Sequence, residues 1–321
     1  MTDIEHLPEL HGLPAFDFPD PGEPQELPEA GAAAWRLAFS VYGDSADAGF
    51  GALWERFLAT VDPAGVRAII VGPWGEPCDD DSGEVVRHLV AARKKLTSLR
   101  AVFIGDLEME EAEISWIVQS DVTPVLEAYP LLEELGVRGG TGLRFPAVRH
   151  QHLRTLWFQA GGLPGEVVRG VAASELPALE HLEMWLGVEE YEGDATVADL
   201  APLLAGDRLP ALRHLGLRNS EFQDEIAAAV ARAPVVARLT SLDLSLGTLS
   251  DEGLTALLDG RPLTHLTRLD LHYNFVTEPV AERFRAALEP FGVEVDLSEP
   301  GEEDQDEDED GEVYRYTAVS E

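Results

Sequence analysis

The chain has 321 residues, 45% of them apolar, and its 60 acidic and 23 basic side chains give a formal net charge of -37. A body this acidic repels phosphate backbones and anionic bilayers, which excludes nucleic acid and membrane surfaces and leaves a protein or peptide of basic or mixed charge as the expected partner. The lone Cys78 allows no intramolecular disulfide, no leader-like segment opens the chain, and no apolar run approaches the roughly 20 residues of a membrane span, so a cytoplasmic protein is expected.

Residues 1–34 carry six prolines and little periodicity. They read as an irregular arm or as a cap, with Leu13, Phe16 and Phe18 covering the end of a core that would otherwise be exposed. From Trp35 a pattern sets in. "WRLAFSV", "VRAIIV" (66–71), "LRAVFI" (99–104), "LEELGV" (132–137), "LRTLWF" (153–158), "LEHLEM" (179–184), "LRHLGL" (212–217), "LTSLDL" (239–244), "LTRLDL" (266–271) and "GVEVDL" follow one another. Taking one marker per copy gives ten rungs: Leu37, Ile69, Val102, Leu135, Leu156, Leu182, Leu215, Leu242, Leu269 and Val293. Each copy alternates as a short strand does, so the marker and the second residue after it face inward. Between the copies, helical spacing predicts helices over 50–61, 83–95, 122–129, 163–173, 196–205, 222–232, 250–258 and 277–288. Ser250 and Thr277 stand where N-caps belong.

Leu-x-x-Leu-x-Leu at intervals of 21 to 33 residues resembles the leucine-rich repeat family, in its ribonuclease-inhibitor-like class, from Trp35 to Ser298. The resemblance implies an α/β solenoid, a horseshoe with parallel strands on the concave face and helices on the convex face. It divides the chain into a cap at 1–34, a repeat domain at 35–298 and an acidic tail at 299–321. The family's usual Asn or Cys at the ninth position survives only as Asn274; Gly140, Gly161, Gly187, Gly247 and Ser220 replace it elsewhere. "HLPELHGLPAFDFP" and "GDATVADLAPLLAGDRLPALRHLGL" also resemble an uncharacterised leucine-rich-repeat family of high-GC bacteria. That likeness implies a cytoplasmic protein working beside enzymes of a shared gene cluster.

Reading the outward positions of successive copies gives the candidate binding face: Arg138, Trp157, His181, Glu183, Trp185, His214, Arg218, Asp243, Arg268, Asp270 and His272. Trp and Arg dominate interface hot spots, and both are concentrated here; Gly136 and Gly216 would leave hollows beside the tryptophans. The alternative is that the tryptophans pack on neighbouring rungs and the charges form solvated pairs. The expected function is therefore a non-enzymatic scaffold that holds a peptide or protein partner, without cofactor or resident metal. Two other readings stay open. Asp243 and Asp270 fall in one column on adjacent rungs, close enough for acid–base work, and "RHQH" sets His150 and His152 at metal-ligand spacing; the third reading is a structural subunit of an assembly. Rim loops lie at 71–84 and 105–121, the second containing Trp116, which is a core plug or a rim contact. "EPGEEDQDEDEDGE" (299–312), with ten acidic residues, is expected to lack structure, and "VYRYTAVSE" after it folds back on the last rung or docks elsewhere.

Overall fold

The computed structural model describes residues 4–22, 25–39, 49–76, 78–301, 304–307 and 313–320. Twelve strands form one sheet in chain order: β1 (Glu9–Leu10), β2 (Leu13–Asp17), β3 (Ala34–Leu37), β4 (Ala68–Val71), β5 (Ala101–Ile104), β6 (Glu134–Arg138), β7 (Thr155–Gln159), β8 (His181–Gly187), β9 (His214–Ser220), β10 (Ser241–Asp243), β11 (Arg268–Asp270) and β12 (Glu294–Asp296). β1 and β2 are an antiparallel hairpin; from β2 onward every pairing is parallel. A helix follows most strands: α1 (Gly49–Thr60), α2 (Gly83–Ala91), α3 (Thr123–Ala128), α4 (Gly165–Ala173), α5 (Val197–Ala205), α6 (Gln223–Val230), α7 (Asp251–Leu258) and α8 (Glu278–Leu288). All eight lie within the expected spans to a few residues.

The alternation of apolar residues along each strand has its physical outcome in a single file. Phe16, Trp35, Ile69, Val102, Leu135, Leu156, Leu182, Leu215, Leu242, Leu269 and Val295 are register partners from β2 to β12. All but the two terminal members are buried, in one core shared with the apolar faces of the helices. Eight of the ten sequence markers stand in this file. Leu37 and Val293 do not: Trp35 and Val295 hold those places. A shift of two residues keeps a strand side chain on the same face, so the pattern alone left this register undetermined.

At the start of the sheet, Phe16 packs edge-on against Trp35 at 5.5 Å and Phe18 against Phe57 at 5.3 Å. Leu13, an odd number of residues away, faces the other side. At the helix N-termini the Ser250 hydroxyl accepts from Glu252 N at 3.3 Å, whereas Thr277 makes no cap. Its hydroxyl donates instead to Asp251 Oδ2 of the preceding helix at 2.8 Å. A cap the pattern did not single out opens α5, where Asp199 Oδ2 accepts from Thr196 N at 3.0 Å and from its hydroxyl at 2.8 Å.

Part of the acidic run does have structure. Gln305–Glu307 (β13) pairs antiparallel with Val313–Arg315 (β14), while 302–303 and 308–312 lie outside the described residues. No helix among the described residues is long and apolar enough to cross a membrane.

Candidate functional site

The sheet face opposite the helices changes character along the stack. On β3–β5 its outward columns are Ala34, Ala68 and Ala101, then Arg36, Ile70 and Phe103. All of these but Arg36 are small or apolar, and they receive the N-terminal hairpin: Leu10 is 2% exposed and clusters with Ala34, Ala68, Ile70, Ala101 and Phe103, with Leu7 and Leu13 at its margin. The segment before the hairpin is held by a buried charge group. Asp106, fully buried, accepts from Leu7 N at 2.9 Å and from Arg36 Nε at 2.6 Å. Burial alone would raise the Asp106 carboxyl, but His6, Leu7 N and Arg36 outweigh it and hold it below the usual range. Arg138 belongs to this anchor and not to a free surface. It is 3% exposed and donates to Gln159 Oε1 at 2.9 Å and to Glu5 O at 3.1 Å.

From β6 onward the columns turn polar. Glu134, Thr155, His181, His214, Ser241, Arg268 and Glu294 are register partners, as are Gly136, Trp157, Glu183, Gly216, Asp243, Asp270 and Asp296. The expected hollows at the glycines are filled. A Cβ on Gly136 would lie 2.4 Å from both Phe103 and Trp157, whose rings pack at 4.9 Å, and one on Gly216 would lie 2.9 Å from Glu183 Cγ. Trp157, His181, Glu183, His214, Arg218 and His272 stay partly exposed, and Arg268 is exposed. Trp185, Asp243 and Asp270 are buried beneath them, so they position neighbours rather than offer contacts.

The polar half is tightly wired. Glu183 Oε1 accepts from Trp185 Nε1 at 2.8 Å and from Arg218 at 2.9 Å, and the Arg218 guanidinium lies 5.2 Å over the Trp185 ring. Burial opposes the Glu183 charge, yet His181, Arg218 and Trp185 pull its carboxyl down to about 2. Arg218 also meets Asp243 at 3.3 Å; burial, with Glu183 and Asp270 adding repulsion, keeps the Asp243 carboxyl above its ordinary range. Asp270 accepts from Arg268 at 2.8 Å and pairs with His272 Nδ1 at 2.6 Å, which overcomes burial and depresses it. The two carboxylates are register neighbours, and each has its own cation, Arg218 at Asp243 and Arg268 at Asp270. His181 and His214 stack at 4.0 Å with 7° between planes, and burial pushes His214 down to about 4.

Along the C-terminal edge of the strands runs a strap, the chain's last described segment. Asn219, Leu246 and Tyr273 recur at equal spacing, and all three adopt left-handed backbone, φ 53°, 66° and 51°. That conformation is costly for Leu and Tyr. Each holds the strap: Ala318 N donates to Leu246 O at 2.9 Å, the Tyr273 hydroxyl to Tyr316 O at 3.2 Å, and Asn219 pairs with Val319. Ser115 donates to Ser320 O, where Gly161 has no side chain; a Cβ there would lie 2.0 Å from the Ser115 hydroxyl. Ile4, Ile114, Trp185, Leu246, Tyr273, Ala318 and Val319 form a second apolar cluster that ties both chain ends to the rim loop at 105–121.

His150 and His152 do not join His181 and His214. His150 Nε2 lies 3.0 Å from Tyr129 O while its Nδ1 accepts from Leu153 N at 2.9 Å, and His152 bonds Pro130 O at 2.9 Å. Trp116 is no core plug: it stands 54% exposed. Sequence reasoning passed over His11, 3.4 Å from Glu134, and Asp106. The signal that would have found the docked hairpin was the outward column Ala34, Ala68, Ala101, read against Glu134 and the polar residues after it.

These features define a mixed α/β repeat-like fold built on a long, mostly parallel sheet that alternates with helices. No protein-family model matches the chain, and no curated protein does. Among solved structures it is similar to a structural-genomics protein of Bacteroides fragilis, at 29% identity and a TM-score of 0.78, over 89% of this chain and 77% of that one.

Proposed function

We propose that the chain is a leucine-rich repeat protein of the ribonuclease-inhibitor-like class that binds a protein or peptide segment on the polar half of its open face. In this reading it is a scaffold and not a catalyst, and it works in the cytoplasm. The observation that carries the proposal is the change of the outward columns at β6. Where the face is apolar, an extended segment of the chain's own N-terminus already lies on it. Where the face is polar, Trp157, His181, His214, Arg218, Arg268 and His272 remain partly open, over a buried layer of Trp185, Asp243 and Asp270 that fixes their positions. A rigid, pre-paired wall of mixed charge around one partly exposed indole suits a partner of mixed charge, because little side-chain freedom is lost on binding.

Affinity purification of the full chain from its native cell tests the reading. Partners captured by the wild type should be lost from a Trp157→Ala/Arg268→Ala double variant and kept by Arg285→Ala on α8. The same partner set on all three proteins would rule this face out.

A further inference from the structure

His214 Nε2 is buried and has no hydrogen-bond partner among the described residues. Its ring is oriented by Ser241, whose hydroxyl lies 2.8 Å from Nδ1. An orphaned buried nitrogen costs free energy, about 1–3 kcal/mol, unless something occupies its lone pair. With the ring proton on Nδ1 and shared with Ser241, that lone pair is on Nε2, in the plane of a ring stacked parallel to His181, and two further ligand atoms lie nearby. His214, His181 and Glu183 each offer one, and the three lie within 4.8 Å of one another. Glu183 is prepared for the role. Trp185 and Arg218 hold Oε1, while Oε2 faces His181 Nε2 at 3.8 Å. Gly216, between Glu183 and Asp243 in its column, lets Glu183 and His214 come together: a Cβ there would lie 2.9 Å from Glu183 Cγ and 3.4 Å from His214 Nε2.

We propose that His181, Glu183 and His214 bind one divalent transition-metal ion, with Zn2+ the best match, and leave a fourth position open to solvent. Two imidazole nitrogens and one carboxylate oxygen are a zinc donor set; Ca2+ and Mg2+ demand more oxygens than the cluster has. Around a tetrahedral ion the ligand atoms stand about 3.3 Å apart, so the side chains close inward on binding and the two rings leave their parallel stack. His181 supplies that motion, since its side chain is 38% exposed. Arg218 opposes the incoming charge, but Asp243 at 3.3 Å offsets it. The outer hydrogen bonds from Ser241, Trp185 and Arg218 do what such contacts do at metal centres, fixing ligand orientation before the ion arrives.

The other cluster of this kind among the described residues, Asp270, His272 and Asp296, is filled by the protein itself. Arg268 lies 2.8 Å from Asp270 and 3.9 Å from Asp296, and His272 is already bonded to Asp270. The zinc site shares His181 and His214 with the proposed partner-binding face, but uptake is measured on the isolated chain, so its failure and the failure of that reading are distinguishable.

The full-length protein, stripped with chelator, is titrated with Zn2+ by calorimetry in a large excess of Mg2+, which saturates the acidic surface. Co2+ serves as the optical probe. One saturating equivalent is expected, with the visible absorption of tetrahedral Co2+. His181→Ala and His214→Gln, each checked for folding by circular dichroism, should bind at least tenfold more weakly, and His152→Ala should match the wild type. No stoichiometric uptake by the wild type, or unchanged affinity in a folded His181→Ala, overturns the proposal.

Discussion

Asn219 and Val319, one hundred residues apart, close a two-way hydrogen-bonded pair: Asn219 Nδ2 donates to Val319 O at 2.5 Å and Val319 N donates to Asn219 Oδ1 at 3.1 Å. The same amide also reaches Ala160 O at 3.3 Å. A side chain fully buried at the end of β9 thus joins the strap to the repeat body. Asn219→Ala removes all three bonds and puts alanine in a left-handed conformation that asparagine tolerates better. Stability should fall by about 1–3 kcal/mol in urea denaturation. Amide exchange should quicken first at Ala318 and Val319. Unchanged exchange there would mean that the strap is held by its apolar contacts alone.

Gly136 marks where the apolar half of the open face ends. Gly136→Ala places a methyl group against the Phe103 and Trp157 rings and should cost about 1–3 kcal/mol through overpacking. Trp157 fluorescence should shift with it. A variant as stable as wild type, with the same emission, would show that the two rings have room to move apart.

Ala68 lies under Leu10 in the hairpin's docking surface. Ala68→Leu should lift the hairpin without disturbing the helix side of the sheet. The expected result is faster amide exchange across residues 4–17, led by Ala15, whose amide donates to Pro8 O at 2.9 Å, with little change in α4–α7. A uniform rise across the whole chain would contradict a locally docked hairpin.

His272 links stability to pH. Its bond to Asp270 raises its proton affinity against the effects of burial and Arg218, with Asp243 assisting. The folded chain therefore holds the His272 proton more tightly than the unfolded chain. That contribution is complete below the unfolded value of about 6.5 and disappears as pH rises through the raised folded value. In chelator, wild type should be more stable than His272→Gln near about pH 6, and the gap should close by about pH 9. A gap that widens with pH has the wrong sign for this pair.

The repeat was legible in the residues themselves. Leu215, Leu242 and Leu269 recur at equal intervals, and apolar alternation on a strand leaves one inward face, so their stacking follows from period and burial. The helices follow from the same reasoning. Register at the ends did not, because Trp35 and Leu37 face the same side and only pairing with Ile69 separates them. The fates of Trp157 and Trp185 show where local pattern stops. Both point outward from adjacent strands, yet Trp157 stays partly open and Trp185 is covered in a cluster with Ile4 and Val319. Three members of that cluster, Ile4, Ala318 and Val319, lie outside the repeats, and nothing in a repeat's periodicity says where such segments will lie. His181, Glu183 and His214 were each readable as outward residues; their closeness is a matter of rotamers and of the missing side chain at Gly216, whose place Glu183 and His214 take. Sequence determined the stacked core, since burial of a periodic apolar face is a one-dimensional requirement. Tertiary structure decided which part of the opposite face stays open, since that depends on contacts between segments far apart in the chain, the hairpin with β3–β5 and the strap with Asn219.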